Sequence, residues 1–236
     1  MAVKRKLSKL DWVLFIVPAI GWMANYAIRP HVVDTPCADQ TGDCNRSDVL
    51  WFDEPVIDYG HYATGDYAHF TQDTSGVLAM AVPFVYSGAR ILAGTASPAV
   101  ALTAAGVDLV IFVEAAVWNG FVNATTRNVF PRARPFVYQD PETFGGDVGN
   151  YTSFYSGHTS FAALSMTSLA LALAARGAGI ALVAPTGVAG VVLVAATGVF
   201  RVLSGRHFIS DVVFAAIAGM LIALWIAWLH RPRSES

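Results

Sequence analysis

Six stretches of the chain run without Asp, Glu, Lys or Arg: 12–28, 74–89, 91–107, 148–175, 177–200 and 212–229. A hydrocarbon layer about 30 Å thick is crossed by a helix of about 20 apolar residues. The pattern predicts six spans, at roughly 11–28, 76–93, 99–121, 158–175, 180–200 and 209–229. The second and fourth are short, so their flanks must contribute. The expected fold is all-α, a six-transmembrane-helix bundle forming a single membrane domain over 1–236, with the chemistry carried by 99–229.

Composition sharpens this picture. Hydrophobic residues make up 55% of the 236 positions and charged residues 14%, against about 25% charged in a soluble domain. That excludes a disordered chain or a coiled coil. A net charge of -2 provides no basic surface for nucleic acid. The lipid bilayer is the expected partner.

Charge also predicts orientation. Lys4, Arg5, Lys6 and Lys9 lie in or beside a basic tail, 1–10, and only Arg29 follows the first span closely. The positive-inside rule puts the N-terminus in the cytoplasm. Six spans return the C-terminus, with Arg231 and Arg233, to the same side, together with the turns holding Arg90 and Arg176. The tail and apolar run have the outline of a signal peptide. No small-x-small cleavage site follows, so an uncleaved span is expected. Trp12, Trp22, Tyr26, Trp118, Trp225 and Trp228 lie near span ends, as interfacial aromatics do. The cytoplasmic or inner membrane of a bacterium is the expected location.

Three segments then face outward: 29–75, 122–157 and 201–208. The first is acidic, with Asp34, Asp39, Asp43, Asp48, Asp53, Glu54, Asp58, Asp66 and Asp73 against Arg46. Its plain reading is a solvated loop. A sharper one is a lid, with Trp51, Phe52, Val56 and Ile57 in the membrane interface. Cys37 and Cys44 both fall in this loop, outside, where disulfides persist, and a bond between them is expected. Asn45, Asn123 and Asn150 head glycosylation triplets, which matter only in a eukaryotic secretory pathway.

Three polar motifs sit at the outer span ends. They are Arg127-Asn-Val-Phe-Pro-Arg-Ala-Arg134-Pro135, Phe154-Tyr-Ser156-Gly157-His158, and Arg201-Val-Leu-Ser-Gly-Arg206-His207-Phe-Ile-Ser-Asp211. The first two share one loop. Two spans separate the second from the third, so all three reach the same face. Arg127, Arg134 and Arg201 are forks matched to phosphate oxygens. Ser156 and Gly157 open a helix whose bare N–H groups attract anions. His207 and Asp211 are four apart, on one helix face, where a carboxylate can hold one imidazole nitrogen and leave the other to attack. His158 is a candidate general acid. No carboxylate cluster in the sequence offers a metal cage, and no metal ligand is expected. A cofactor-free, metal-independent phosphoryl transfer through a phosphohistidine fits better.

Together these residues resemble the type 2 phosphatidic acid phosphatase family, whose signature combines basic-x6-Arg-Pro, Ser-Gly-His and Arg-x5-His-x3-Asp. Vanadium haloperoxidases share a related site, but are soluble. The chain departs at Arg127, where Lys is usual, at Tyr155, where Pro is usual, and at Phe200, where Ser is usual. The resemblance implies a membrane lipid phosphatase with an extracytoplasmic site. It implies His207 as nucleophile, Asp211 as its orienting partner and His158 as acid. Arg127, Arg134, Ser156, Gly157 and Arg201 would hold phosphate. The substrate expected is a phosphorylated lipid, and a lipid phosphotransferase using the same phosphohistidine is the alternative.

Other polar residues stay outside this scheme. Arg132 and Arg206 read as charge balance or headgroup contacts, and His31, His61 and His69 have no partner pattern. Glu114 is a candidate brace behind the site. Asp108, near mid-membrane, is expected in an interhelical network with Asn119 and Asn123. Gly187, Gly190 and Gly198 suit close helix packing.

Overall fold

The computed structural model describes residues 9–38, 44–60 and 67–231. Lys4, Arg5, Lys6, Asp39, Asp43, His61, Asp66 and Arg233 lie outside the described residues, as does the Lys9 side chain. The helices, in chain order, are α1 Lys9–Val32, α2 Pro55–Tyr59, α3 Tyr67–Leu92, α4 Pro98–Val129, α5 Pro135–Gln139, α6 Pro141–Phe144, α7 Gly157–Ala175, α8 Ile180–Leu203 and α9 Ile209–Leu229. Six of them, α1, α3, α4, α7, α8 and α9, are long and apolar enough to cross a membrane. The chain is an all-α integral membrane protein.

Two boundaries differ from expectation. α3 starts at Tyr67 rather than 76, and α4 runs to Val129 rather than 121. The loop predicted over 29–75 shrinks accordingly. Helical backbone satisfies its own hydrogen bonds whatever the side chains. Polar residues therefore end an apolar run without ending a helix. In α3, Thr71 and Ser75 donate back to Ala68 O (3.2 Å) and Thr71 O (2.8 Å), and Thr197 of α8 donates to Thr71 Oγ1 at 2.7 Å.

α7 lies at the centre, packed on α3, α8, α9 and α4. Leu164, Leu169 and Leu173 of α7 share a core with Phe112 of α4 and Ile226 of α9. Gly219 of α9 sits so close to α7 that an added Cβ would fall inside the Ser160 carbonyl. The outward faces remain apolar: Val188, Val191 and Val192 on α8, and Val213, Ile217 and Leu221 on α9, are exposed. Hydrocarbon is the solvent that tolerates such faces.

α1 packs on α4 through exchanged glycines. Phe121 covers Gly21, and an added Cβ on Gly120 would meet the Trp22 ring at 2.6 Å. Trp22 is thus a packing residue. Gly190 and Gly198 contact Met166 and Val212, but Gly187 faces open space. Asp108 does not pair with Asn119 or Asn123. It forms a buried ion pair with Arg176, whose NH1 also donates to Pro83 O (3.1 Å) and Ser87 Oγ (2.8 Å). Asn119 bonds Ser160 and Asn123 bonds the Tyr155 carbonyl.

Candidate active site

The end of α4, residues 130–156, the start of α7, and the turn from α8 to α9 meet at one end of the bundle. Arg132 and Arg134 are set by backbone bonds to the segment before α7: Arg132 N to Tyr151 O (2.8 Å), Ser153 N to Arg132 O (3.0 Å) and Arg134 N to Asn150 O (2.9 Å). Gly205, at φ +63, makes the turn between α8 and α9. Gly60 lies against it backbone to backbone, and a Cβ there would sit 2.7 Å from Gly205 Cα.

His207, two residues after Gly205, is fully buried. Its Nδ1 lies 2.7 Å from the Ser153 carbonyl. A carbonyl only accepts, so Nδ1 carries the proton and Nε2 keeps its lone pair. Nε2 is buried and has no hydrogen-bond partner. Burial first, then the charges of Arg201, Arg134 and Arg127, hold the His207 pKa well below the usual histidine value, with the Ser153 carbonyl opposing. The imidazole is neutral and surrounded by cationic forks.

The motif arginines have different supports. Arg127 donates from Nε and NH2 to the Tyr155 carbonyl (3.3 and 3.1 Å). Arg134 NH2 donates to Thr152 Oγ1 at 3.1 Å. Arg201 is 4% exposed, and its Nε has no hydrogen-bond partner. Ser156 caps α7, its Oγ 3.4 Å from Thr159 N. A Cβ on Gly157 would stand 3.3 Å from Arg127 NH2, so glycine keeps the guanidinium close to the helix start. His158 is partly buried and lies close enough to Arg201, His69, His207 and Arg127 for like-charge repulsion when it is protonated. Its Nε2 is 3.1 Å from Nδ1 of His69, on the polar extension of α3. His69 had no role in the sequence reading. Only the unexpected helical start at Tyr67 brings it here.

Asp211 is placed differently from expectation. Its Oδ2 is 3.8 Å from His207 Nδ1, beyond hydrogen-bonding range. The same oxygen accepts from Ser153 Oγ (2.5 Å) and Phe208 N (2.9 Å), and Oδ1 accepts from Arg132 NH1 (2.7 Å). Asp211 therefore acts on His207 through Ser153, whose hydroxyl it holds and whose carbonyl holds the imidazole.

Arg132 and Asp53 complete this brace: Arg132 balances charge, as its sequence position suggests, whereas nothing in the sequence singles out Asp53 from the acidic loop. Arg132 NH2 donates to Asp53 Oδ2 at 2.9 Å, and its guanidinium lies 4.1 Å from the Phe208 ring centroid. Burial opposes the Arg132 charge, but Asp211 and Asp53 outweigh it and raise its pKa. Asp53, fully buried, also accepts from Ser210 N (2.9 Å) and Ser210 Oγ. Val56 and Ile57 are buried against Val202, Phe208 and Val212, whereas Trp51 is 82% exposed. The acidic loop is thus neither simply solvated nor wholly interfacial. Cys37 and Cys44 are disulfide-bonded, with Cα atoms 5.0 Å apart, and Cys37 N donates to the Tyr151 hydroxyl at 3.0 Å.

Glu114 does not brace the site. Its Oε2 is 2.7 Å from Nε2 of His230, which follows the last residue of α9, while His207 and Asp211 flank its first. At 1.5 Å per residue, the 21 residues of α9 separate the two places by about 30 Å.

A cavity of about 740 Å³ opens between α8 and α9 over α7. Thr159, Val202 and Ile209 line its upper end beside the motifs, and Met166, Gly190 and Met220 its lower end.

A family model described as the PAP2 superfamily matches residues 108–235. Comparison with curated proteins and with solved structures returns no match.

Proposed function

The chain belongs to the PAP2 superfamily, whose members have phosphatase-type activity; from that premise we propose that it hydrolyses a lipid phosphate monoester or pyrophosphate through a phosphohistidine on His207. The observation that carries this reading is the buried His207, its Nδ1 on a carbonyl and its Nε2 unpartnered, under the charge of three arginines.

In the proposed reaction, Arg127, Arg134, Arg201 and the N–H groups at the start of α7 hold the phosphate oxygens. The Nε2 lone pair attacks phosphorus in line with the lipid oxygen. The phosphorus–oxygen bond breaks as the phosphorus–nitrogen bond forms, and His158, whose protonated form the bound phosphate dianion stabilises against the nearby arginines, gives its proton to the departing oxygen. His158 then takes a proton from water, whose oxygen attacks phosphorus. The phosphorus–nitrogen bond breaks, releasing inorganic phosphate and restoring Nε2. The guanidinium forks neutralise the charge spread over the equatorial oxygens, so no metal is invoked. Asp211, Ser153, Arg132 and Asp53 keep the ring in place. His69 hydrogen-bonds His158 and links it to the solvent side of the site.

The apolar cavity beside the motifs supports a lipid over a water-soluble ester. On the charge pattern, both termini are cytoplasmic and the site is periplasmic or extracellular. The experiment is phosphate release, with chelator present, from phosphatidic acid, phosphatidylglycerol phosphate, a polyprenyl pyrophosphate and a phosphorylated lipid A. Wild type should release phosphate from at least one of them and trap an acid-labile phosphoenzyme, and His207→Ala should do neither. Full activity in His207→Ala overturns the mechanism. A modified acceptor lipid with no free phosphate would make the protein a transferase.

A further inference from the structure

Asp11, Glu114 and His230 meet at the end of the bundle opposite His207. One comes from the start of α1, one from the middle of α4 and one from just past α9. One ligand-type atom from each lies within 4.8 Å of the others. His230 Nε2 is 2.7 Å from Glu114 Oε2, and Nδ1 is 3.8 Å from Asp11 Oδ1. The side chains of Asp11, Glu114 and His230 are only 11%, 2% and 8% exposed. The proposed phosphoryl transfer uses none of them.

The donor set decides what this cluster suits. His230 Nε2 reaches Oε2 of Glu114. The other oxygen, Oε1, is buried with no hydrogen-bond partner. A buried carboxylate oxygen without a partner is costly. A divalent cation takes one ligand atom from each of the three side chains and gives Oε1 a partner through bidentate coordination. One imidazole with two carboxylates suits a borderline cation such as Zn²⁺ rather than Mg²⁺ or Ca²⁺, which prefer all-oxygen sets.

We propose that Asp11, Glu114 and His230 bind one divalent transition-metal ion, which ties the start of the first span and the end of the last to α4. Three protein ligands leave a coordination position for water. The ion's proposed role is to cross-link the helices; the site is remote from His207 and independent of the phosphatase reading.

Tag-free, full-length protein in detergent is stripped with chelator and titrated with Zn²⁺, then with Co²⁺ to read ligand-field absorption. Wild type should bind one ion per chain, show the Co²⁺ bands and melt at higher temperature with Zn²⁺. Glu114→Gln and Asp11→Asn should lose all three responses, and His207→Ala should keep them. If Glu114→Gln does not fold, Asp11→Asn decides, because wild-type Co²⁺ bands in that variant overturn the proposal. It is also overturned if wild type lacks saturable one-to-one binding. A metal-blind protein whose stability falls as pH rises through the histidine range would instead mark a protonated His230 bridging two carboxylates.

Discussion

Replacing Asp53 with Ala tests whether a loop residue 158 positions before Asp211 holds the site together. The substitution removes three hydrogen bonds, from Arg132 NH2, Ser210 N and Ser210 Oγ. Charge-assisted bonds are worth about 1.5–3 kcal/mol each, an upper sum of roughly 5–9 kcal/mol. Two facts reduce that sum. Arg132 is 21% exposed and keeps Asp211, and Ser210 is only partly buried, so water re-satisfies part of both. A loss of about 3 kcal/mol follows, at the lower edge of the range for breaking a buried pair. In a chain of this size it lowers the melting midpoint by roughly 6–12 °C. Catalysis should fall through kcat at nearly constant KM, because Asp53 acts on His207 indirectly, through Arg132 and Ser210 and then Asp211 and Ser153. Asp53→Asn, which keeps the shape, should lose less of both. The assay pairs thermal unfolding in detergent with phosphate release at saturating lipid. A melting point within 1–2 °C of wild type, equivalent to less than about 1 kcal/mol, would refute the brace. So would a change confined to KM.

Four further outcomes follow from the same geometry. Arg134→Ala should weaken inhibition by vanadate or phosphate about 10- to 150-fold, the equivalent of 1.5–3 kcal/mol, with the fold intact by size-exclusion chromatography. His69→Ala should slow turnover and displace the acid limb of the pH–rate profile while leaving vanadate affinity unchanged, and an unaltered profile would remove His69 from the proton path. Gly219→Ala drives a methyl into the Ser160 carbonyl and should cost about 1–3 kcal/mol or more of stability, read by thermal unfolding. The fourth concerns pH. Burial and the arginines keep His207 neutral in the fold, so below the unfolded-state value of about 6.5 the unfolded chain binds a proton that the folded one refuses. That contribution makes stability fall with acidification, by up to about 1.4 kcal/mol per pH unit. His207→Asn should flatten the slope, and identical slopes in both proteins would sink the argument.

The sequence carried the six spans because a charge-free run is a local property. It also carried His207, Arg201 and Asp211, whose spacing within one turn and helix start is local too. Glu114 shows the opposite case. Its place within α4 was legible, but its partner, His230, depends on how α9 lies against α4. The Asp53–Arg132–Asp211 brace links positions far apart in the chain and leaves no periodic trace. An acidic loop with one buried carboxylate looks the same in sequence as one with none. His69 was hidden by a related effect, since Gln72, Asp73 and Thr74 interrupt the apolar pattern while the helix continues through them. The Ser153 carbonyl that fixes the His207 tautomer is a backbone atom, and every residue has one.

The furrow over α7 has one long side open toward the surroundings of the bundle. Moving a hydrocarbon chain into water costs about 0.8 kcal/mol per methylene, so a tail of a dozen carbons would face a barrier near 10 kcal/mol if it had to be lifted out. On the proposed reading of a lipid substrate, a chain lying between α8 and α9 would never leave an oily medium, and its headgroup alone would meet the arginines. Encounter then becomes a search in two dimensions, and turnover should respond to the mole fraction of reactant in the membrane rather than to its bulk concentration.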